Sequence, residues 1–166
     1  MLVKKVCMIG DFGVGKTSLV ARFVHSVFSD KYLTTVGVKI DTKVVELPDG
    51  EAIKLVLWDI AGTSALSTTE QKYLRGAAAY LLVVDGTRAE TLNSALALDS
   101  TAQQFLGGVP RILVINKHDL LDQWEISEQQ RAELLSDDRP LALCSALSGE
   151  GVEQTFLQLA DLLDRK

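Results

Sequence analysis

Gly10-Asp11-Phe12-Gly13-Val14-Gly15-Lys16-Thr17 packs three glycines, a lysine and a threonine into eight residues. The spacing G-x-x-x-x-G-K-[ST] suits one kind of chemistry. Glycines let the backbone turn tightly, so that successive N–H groups point inward at a phosphate. A helix beginning at the lysine adds the positive end of its dipole. Lys16 can then reach the terminal phosphates, and the Thr17 hydroxyl can ligate Mg²⁺. The bland alternative is a glycine-rich turn with a surface lysine, and the strand-like run before it and helical pattern after it argue against that.

The loop implies phosphate but not a base. Asn116-Lys117-His118-Asp119 follows the apolar run Arg111 to Ile115. An aspartate accepts two hydrogen bonds side by side, and guanine offers N1–H beside its N2 amino group. Adenine cannot, being unprotonated at N1 with only hydrogen on C2. The wrong base would leave the carboxylate unpaired, which makes such a contact discriminating. Asn116 and the Lys117 stem would brace the loop and the base. A polar turn ending a strand is the alternative, weakened by the phosphate loop expected at the same rim.

Positioning these groups needs alternating strands and helices, and the chain has them. Leu2 to Ile9, Tyr80 to Val84 and Arg111 to Ile115 are short apolar runs of buried-strand type. Leu19, Val20, Phe23, Val24 and Val27 recur at helical spacing, predicting a helix from Lys16 to about Val27. Val38 to Leu47 and Ala52 to Trp58 flank Pro48-Asp49-Gly50-Glu51, a hairpin signal. Helices are expected over Ala89 to Phe105 and Ser127 to Leu135, a last strand over Pro140 to Cys144, and a closing helix lined by Val152, Phe156, Leu159 and Leu163. The expectation is one α/β domain over residues 1–166. It has a six-stranded, mostly parallel sheet with one antiparallel edge strand and helices on both faces. The loops after Ile9, Trp58, Val84, Ile115 and Cys144 then share one rim.

Composition narrows the class. The chain has 166 residues, 47 % hydrophobic and 23 % charged, with a net charge of −5. No basic cluster offers a nucleic-acid surface. Cys7 and Cys144 lie in apolar runs and read as reduced core residues of a cytoplasmic protein. No apolar stretch reaches the ~20 residues of a membrane helix, and the final LLDRK offers no cysteine for a lipid. His25 and His118 read as solvated side chains, Asp137-Asp138 as a solvated loop, and no Cys/His spacing suggests zinc.

GDFGVGKTSL, TTVGVKI, WDIAG, YLRGA, NKHD and CSAL stand in the order and spacing of a Ras-superfamily small GTPase, and the chain most resembles the Rab branch over essentially its whole length. The resemblance implies a P-loop small G domain that binds GTP or GDP with Mg²⁺, hydrolyses GTP and acts as a molecular switch. It implies nucleotide contacts from Asp11, Phe12, Gly13, Val14, Gly15, Lys16, Thr17, Ser18, Asn116, Lys117, Asp119, Ser145, Ala146 and Leu147. Thr17 and Thr35 would ligate Mg²⁺, with Asp59 acting through a water. Lys16, Thr35, Gly62 and Thr63 would stand at the reacting phosphate, Gly62 through its N–H. Phe28 matches the residue lying edge-on to the guanine, although it equally ends the apolar stripe of the first helix. Ser145 and Ala146 match a loop that meets guanine O6 through backbone N–H. An effector would read the loops around Thr34 to Ile40 and Gly62 to Gly76 of a monomer, with an exchange factor and an activating protein setting its state. Trp58 would face that partner or close the strand as a core residue. A membrane would enter only through a tail or partner beyond this chain.

Three positions depart from the family. Thr63 stands where a glutamine usually orients the attacking water, Gln71 is no evident substitute, and poor water placement costs on the order of 10²-fold in rate. Phe12 stands where a small residue is common. Its ring either crowds the space an activating arginine would use or swings outward. Leu147 replaces a lysine whose stem covers the base, which leucine can also do. Slow hydrolysis is therefore expected. A constitutively GTP-loaded scaffold is the alternative from a binding class, and a P-loop small-molecule kinase is a third, opposed by Asp119.

Overall fold

Side chains alternate faces along a strand, and the central strands here are apolar on both faces, so each must be covered twice. The computed structural model describes residues 1–26, 37–135 and 139–164. Phe28, Thr34, Thr35, Val27 and Asp137-Asp138 lie outside them. Strands β1 (Leu2–Gly10), β2 (Val38–Glu46), β3 (Ala52–Ile60), β4 (Ala79–Asp85), β5 (Arg111–Asn116) and β6 (Leu141–Leu143) form one sheet in the order β2-β3-β1-β4-β5-β6. Neighbouring pairs from β3 to β6 are parallel, and β2 runs antiparallel to β3 at the edge, from Val38 opposite Ile60 to Glu46 opposite Ala52. This is the expected architecture.

Two cores follow from the alternation. Val6 and Met8 of β1, with Leu81 and Val83 of β4, face helices α1 (Lys16–His25) and α5 (Val152–Asp164), where Phe23 and Phe156 stack at 4.0 Å. Cys7 and Ile9, with Tyr80, Leu82 and Val84, face the other way, toward Leu74 of α2 (Thr68–Leu74) and Leu92, Ala95 and Leu98 of α3 (Ala89–Leu106). Both cysteines are buried and free, and burial raises the Cys7 thiol to about 12 and that of Cys144 to about 11.

Helix α1 ends at His25, two residues short of the expected boundary, because Ser26 turns left-handed and donates its N–H to the Arg22 carbonyl. Helix α2 was not expected, although Ser67 caps it by accepting from the Glu70 N–H. The S-x-x-E signal was present, but a seven-residue helix leaves little periodicity to see. Helix α4 is shorter than expected, Glu128–Glu133, and opens on a capping box of Ser127 and Gln130. Trp58 is half-buried, packed on the second core with Lys5 3.6 Å above its ring.

A buried ion cluster ties α3 to the sheet away from the glycine loop. Asp99 accepts from the Tyr80 hydroxyl at 2.5 Å, Arg111 at 2.7 Å and Arg139 at 3.0 Å. Removing one partner of a buried ion cluster is costly because the rest stay desolvated. Asp99→Ala is expected to lower unfolding free energy by about 3 kcal/mol, read from the urea midpoint; a loss below a third of that would show the guanidinium groups rehydrate without cost.

Candidate functional site

The carboxyl ends of the parallel strands bring five loops to one rim. The loop after β1 turns at Gly13 and Gly15, with φ of 75° and 102°. Its carbonyls face the protein. The buried Lys16 Nζ donates to Gly10 O and Asp11 O, both at 3.3 Å. Lys117 Nζ lies 3.4 Å from Gly13 O, and Asn116 Nδ2 3.0 Å from Val14 O. Carbonyl and N–H point opposite ways across a trans peptide, so the inward-tied carbonyls of Gly13 and Val14 leave the Val14 and Gly15 N–H groups for an anion. Burial lowers the Lys16 pKa, while the charges of Asp59 and Asp11 raise it. A buried ammonium of this kind gains from an added anionic partner.

Thr17 is the second residue of α1, and its hydroxyl lies 2.5 Å from a carboxylate oxygen of the buried Asp59 on β3. A hydroxyl and a carboxylate side by side are the hard oxygen donors Mg²⁺ prefers. Beyond β3 the chain folds against the glycine loop. Thr63 N–H donates to Gly10 O at 3.0 Å, and a Cβ on Gly62 would stand 2.6 Å from the Phe12 Cα. Only glycine permits that approach. The Thr63 hydroxyl closes a local turn onto Ala65 O at 2.6 Å, and Gln71 donates to Leu66 O. Phe12 has 49 % of its surface exposed, and Ser18 is half-buried on the first turn of α1.

The second half of the site is built by β5 and the loop after β6. Asn116 reaches both, donating to Val14 O and accepting from the Ala146 N–H at 3.2 Å. Lys117 has a left-handed backbone, φ 72°, unusual for a side chain of its size. It is held there by Asp85 at 2.7 Å from its ammonium and by Trp124 Nε1 on its carbonyl at 2.8 Å. Asp119 is exposed, with one oxygen accepting from the Ser145 hydroxyl at 2.7 Å. Leu147 is half exposed, and its carbonyl accepts from Arg22.

The structure brings Asp11, Phe12, Gly13, Val14, Gly15, Lys16, Thr17, Asp59, Gly62 and Thr63 together around the glycine loop. Asn116 and Lys117 bridge it to Asp119, Ser145 and Ala146. The Ser145 N–H bonds Glu150 O at 2.9 Å and the Ala146 N–H bonds Asn116. One expectation changes. His118 is not solvated: it is half-buried, edge-on to Trp124, with Nδ1 2.5 Å from Glu150. Sequence reasoning missed Ser145 as the orienter of Asp119, and Asp85 as the partner of Lys117. The only signal for Asp85 was its place at the end of an apolar strand.

The sequence pattern of the Ras family matches residues 5–165. Ras-related protein RABE1e of Arabidopsis thaliana is 35 % identical over 159 residues, covering 94 % of this chain and 72 % of that protein. GTP-binding protein ypt1 of Schizosaccharomyces pombe is 34 % identical, covering 94 % and 77 %, and Ras-related protein SEC4 of Saccharomyces cerevisiae 32 %, covering 99 % and 76 %. The chain belongs to the Ras family of small GTPases, within its Rab branch. No helix among the described residues is long and apolar enough to cross a membrane.

Proposed function

We propose that this protein is a guanine-nucleotide switch that binds GTP and GDP with Mg²⁺ and hydrolyses GTP slowly. The observation that carries it is the joining of two halves: Asn116 and Lys117 hold the carbonyls of Val14 and Gly13 while Asp119 is oriented beside them. Phosphate cradle and guanine-selecting carboxylate are thereby one unit. Lys16 meets the terminal phosphates. Thr17, Thr35 and Asp59 are the residues that would hold Mg²⁺, which supplies charge neutralisation at the phosphates when bound. Gly62, packed so closely on the loop that an added Cβ would stand 2.6 Å from the Phe12 Cα, would meet the last phosphate through its N–H.

Slow turnover is supported by Thr63. It has no amide to orient a water and its hydroxyl donates to Ala65 O, while Gln71 donates from Nε2 to Leu66 O. In single-turnover phosphate release, Thr63→Gln is expected to hydrolyse GTP about 10²-fold faster than wild type. Equal rates would remove the reason for slowness. A second reading, a scaffold loaded permanently with GTP, draws on the same observation and on the exposed Phe12. Chromatography of the nucleotide that copurifies separates them, GDP supporting turnover and GTP the scaffold.

The surface read by an effector comprises residues 34–40 and 62–76, next to the half-buried Trp58, and the relatives' names support a place in Rab-type vesicle traffic. An exchange factor and an activating protein complete the cycle, acting on a monomer.

A further inference from the structure

Every backbone carbonyl from Gly10 to Val14 accepts a hydrogen bond from elsewhere in the chain. Lys16, Asn116 and Lys117 provide four of these bonds and belong to the site described above. The fifth is different. Both terminal nitrogens of Arg88 donate to the Phe12 carbonyl, each at 3.0 Å. Arg88 lies in neither nucleotide motif. It precedes α3 in the turn after β4, 76 residues from Phe12 in the chain.

That turn is fixed from behind. Thr87 donates its N–H and hydroxyl to Asp85 at 2.9 and 2.7 Å, the Arg88 N–H meets Asp85 O at 3.0 Å, and the Thr91 hydroxyl meets Arg88 O at 2.7 Å. One helical turn on, the Ser94 hydroxyl donates to Asp11 at 2.7 Å, and the other oxygen of Asp11 accepts the Phe12 N–H at 2.7 Å. The peptide groups on both sides of Phe12 are therefore tied to α3. A charged donor makes the stronger kind of hydrogen bond, and two donors on one oxygen fix its direction.

We infer that Arg88 is a positioning residue for the phosphate site: it holds the Phe12 carbonyl toward α3, which turns the Gly13 N–H of the same peptide plane toward the nucleotide. The inference rests on the phosphate-binding reading above. Its chemistry explains how a bulky, half-exposed Phe12 is tolerated. A large side chain catching solvent would otherwise let this peptide swing, whereas here its carbonyl is anchored. Glu90 accepts from Arg88 Nε at 3.3 Å and Asp85 lies 3.9 Å from Nη1, so these carboxylates brace the guanidinium while both its terminal nitrogens stay on the Phe12 carbonyl. A glutamine at position 90 keeps an oxygen for Nε and so leaves Arg88 on the loop.

The test is release of a fluorescent GDP analogue, followed by stopped flow in wild type, Arg88→Ala, Arg88→Lys and Glu90→Gln. Arg88 is 36 % exposed, so none of these changes empties a core, and the thermal midpoint of the nucleotide-free protein is expected to stay put. Release from Arg88→Ala is expected to quicken about 10-fold, Arg88→Lys to recover part of the difference with its single ammonium, and Glu90→Gln to be no faster than wild type. Release from Arg88→Ala within twofold of wild type overturns the inference, as does a lysine variant as fast as the alanine one. Wild-type protein that fails to retain the GDP analogue at all overturns the phosphate reading itself. Slow wild-type release with an unaffected Arg88→Ala removes only the role of Arg88.

Discussion

An Asp119→Asn variant is expected to lose affinity for GDP by about 10³-fold and to prefer xanthosine diphosphate. The argument starts at Ser145. Its hydroxyl oxygen already accepts the Ser148 N–H at 3.1 Å, so its proton is free to go to Asp119, 2.7 Å away. An asparagine at this position meets the same donor and turns its amide oxygen toward it. The NH₂ group then occupies the place of the carboxylate oxygen next to the base. Guanine presents two donors to that edge, and a donor facing a donor forfeits one bond and leaves a polar group unpaired. Xanthine carries a carbonyl where guanine carries the amino group, and it accepts from the new NH₂. Competition against a fluorescent guanine nucleotide, with both diphosphates in turn, measures the change. A variant that still prefers GDP would mean that Asp119 does not select the base. Ser145→Ala should then follow as a milder case, since the carboxylate loses its orientation but keeps its charge.

How much of this was legible in the sequence depends on distance along the chain. Strand alternation is local, so Val6 and Met8 against Cys7 and Ile9 could be assigned to opposite faces before any coordinates. The shared rim followed from the βα order alone. The pairing of Asn116 with Val14, across 102 residues, was expected in kind, because two motifs landed on that rim. Arg88 was not, because nothing in the stretch Asp85-Gly86-Thr87-Arg88 distinguishes a positioning cation from a solvated one. His118 illustrates the same limit: as the variable member of its motif it looked exposed, and only the turn into the short 3₁₀ segment His118–Gln123 tucks it against Trp124 and Glu150. The left-handed backbone of Lys117 was equally silent, since a lysine gives no conformational signal of the kind glycine gives. Helix α2 was missed for the opposite reason: its cap was written in the sequence, but its body is too short for periodicity to speak. The departures at Thr63 and Phe12 were visible at once, while their surroundings were not. The structure adds that the Thr63 hydroxyl already has a partner in its own turn.

Gly15→Ala is the second large effect, expected to weaken GDP binding on the order of 10²-fold and stability by about 2 kcal/mol. Two costs coincide at this position. The backbone sits at φ 102°, where an alanine is strained. The added Cβ would also overlap the Asn116 amide nitrogen. That amide is the bridge of the site, donating to Val14 O at 3.0 Å while its oxygen accepts the Ala146 N–H at 3.2 Å. Displacing it frees the phosphate loop on one side and the loop that orients Asp119 on the other, so a methyl group beside the phosphates is felt at the base. Gly50→Ala separates the two costs. Gly50 has φ 88° in the hairpin turn between β2 and β3, and nothing lies within 4 Å of its added Cβ. It therefore reports strain alone, about 1 kcal/mol in the urea midpoint with nucleotide affinity unchanged. If Gly15→Ala binds GDP as well as Gly50→Ala does, the overlap with Asn116 is relieved without loss, and the two halves of the site are not coupled through that amide. If it binds weakly while its stability falls no further than that of Gly50→Ala, the loss belongs to the phosphate contacts at position 15 rather than to displacement of Asn116, and coupling through that amide is again refuted.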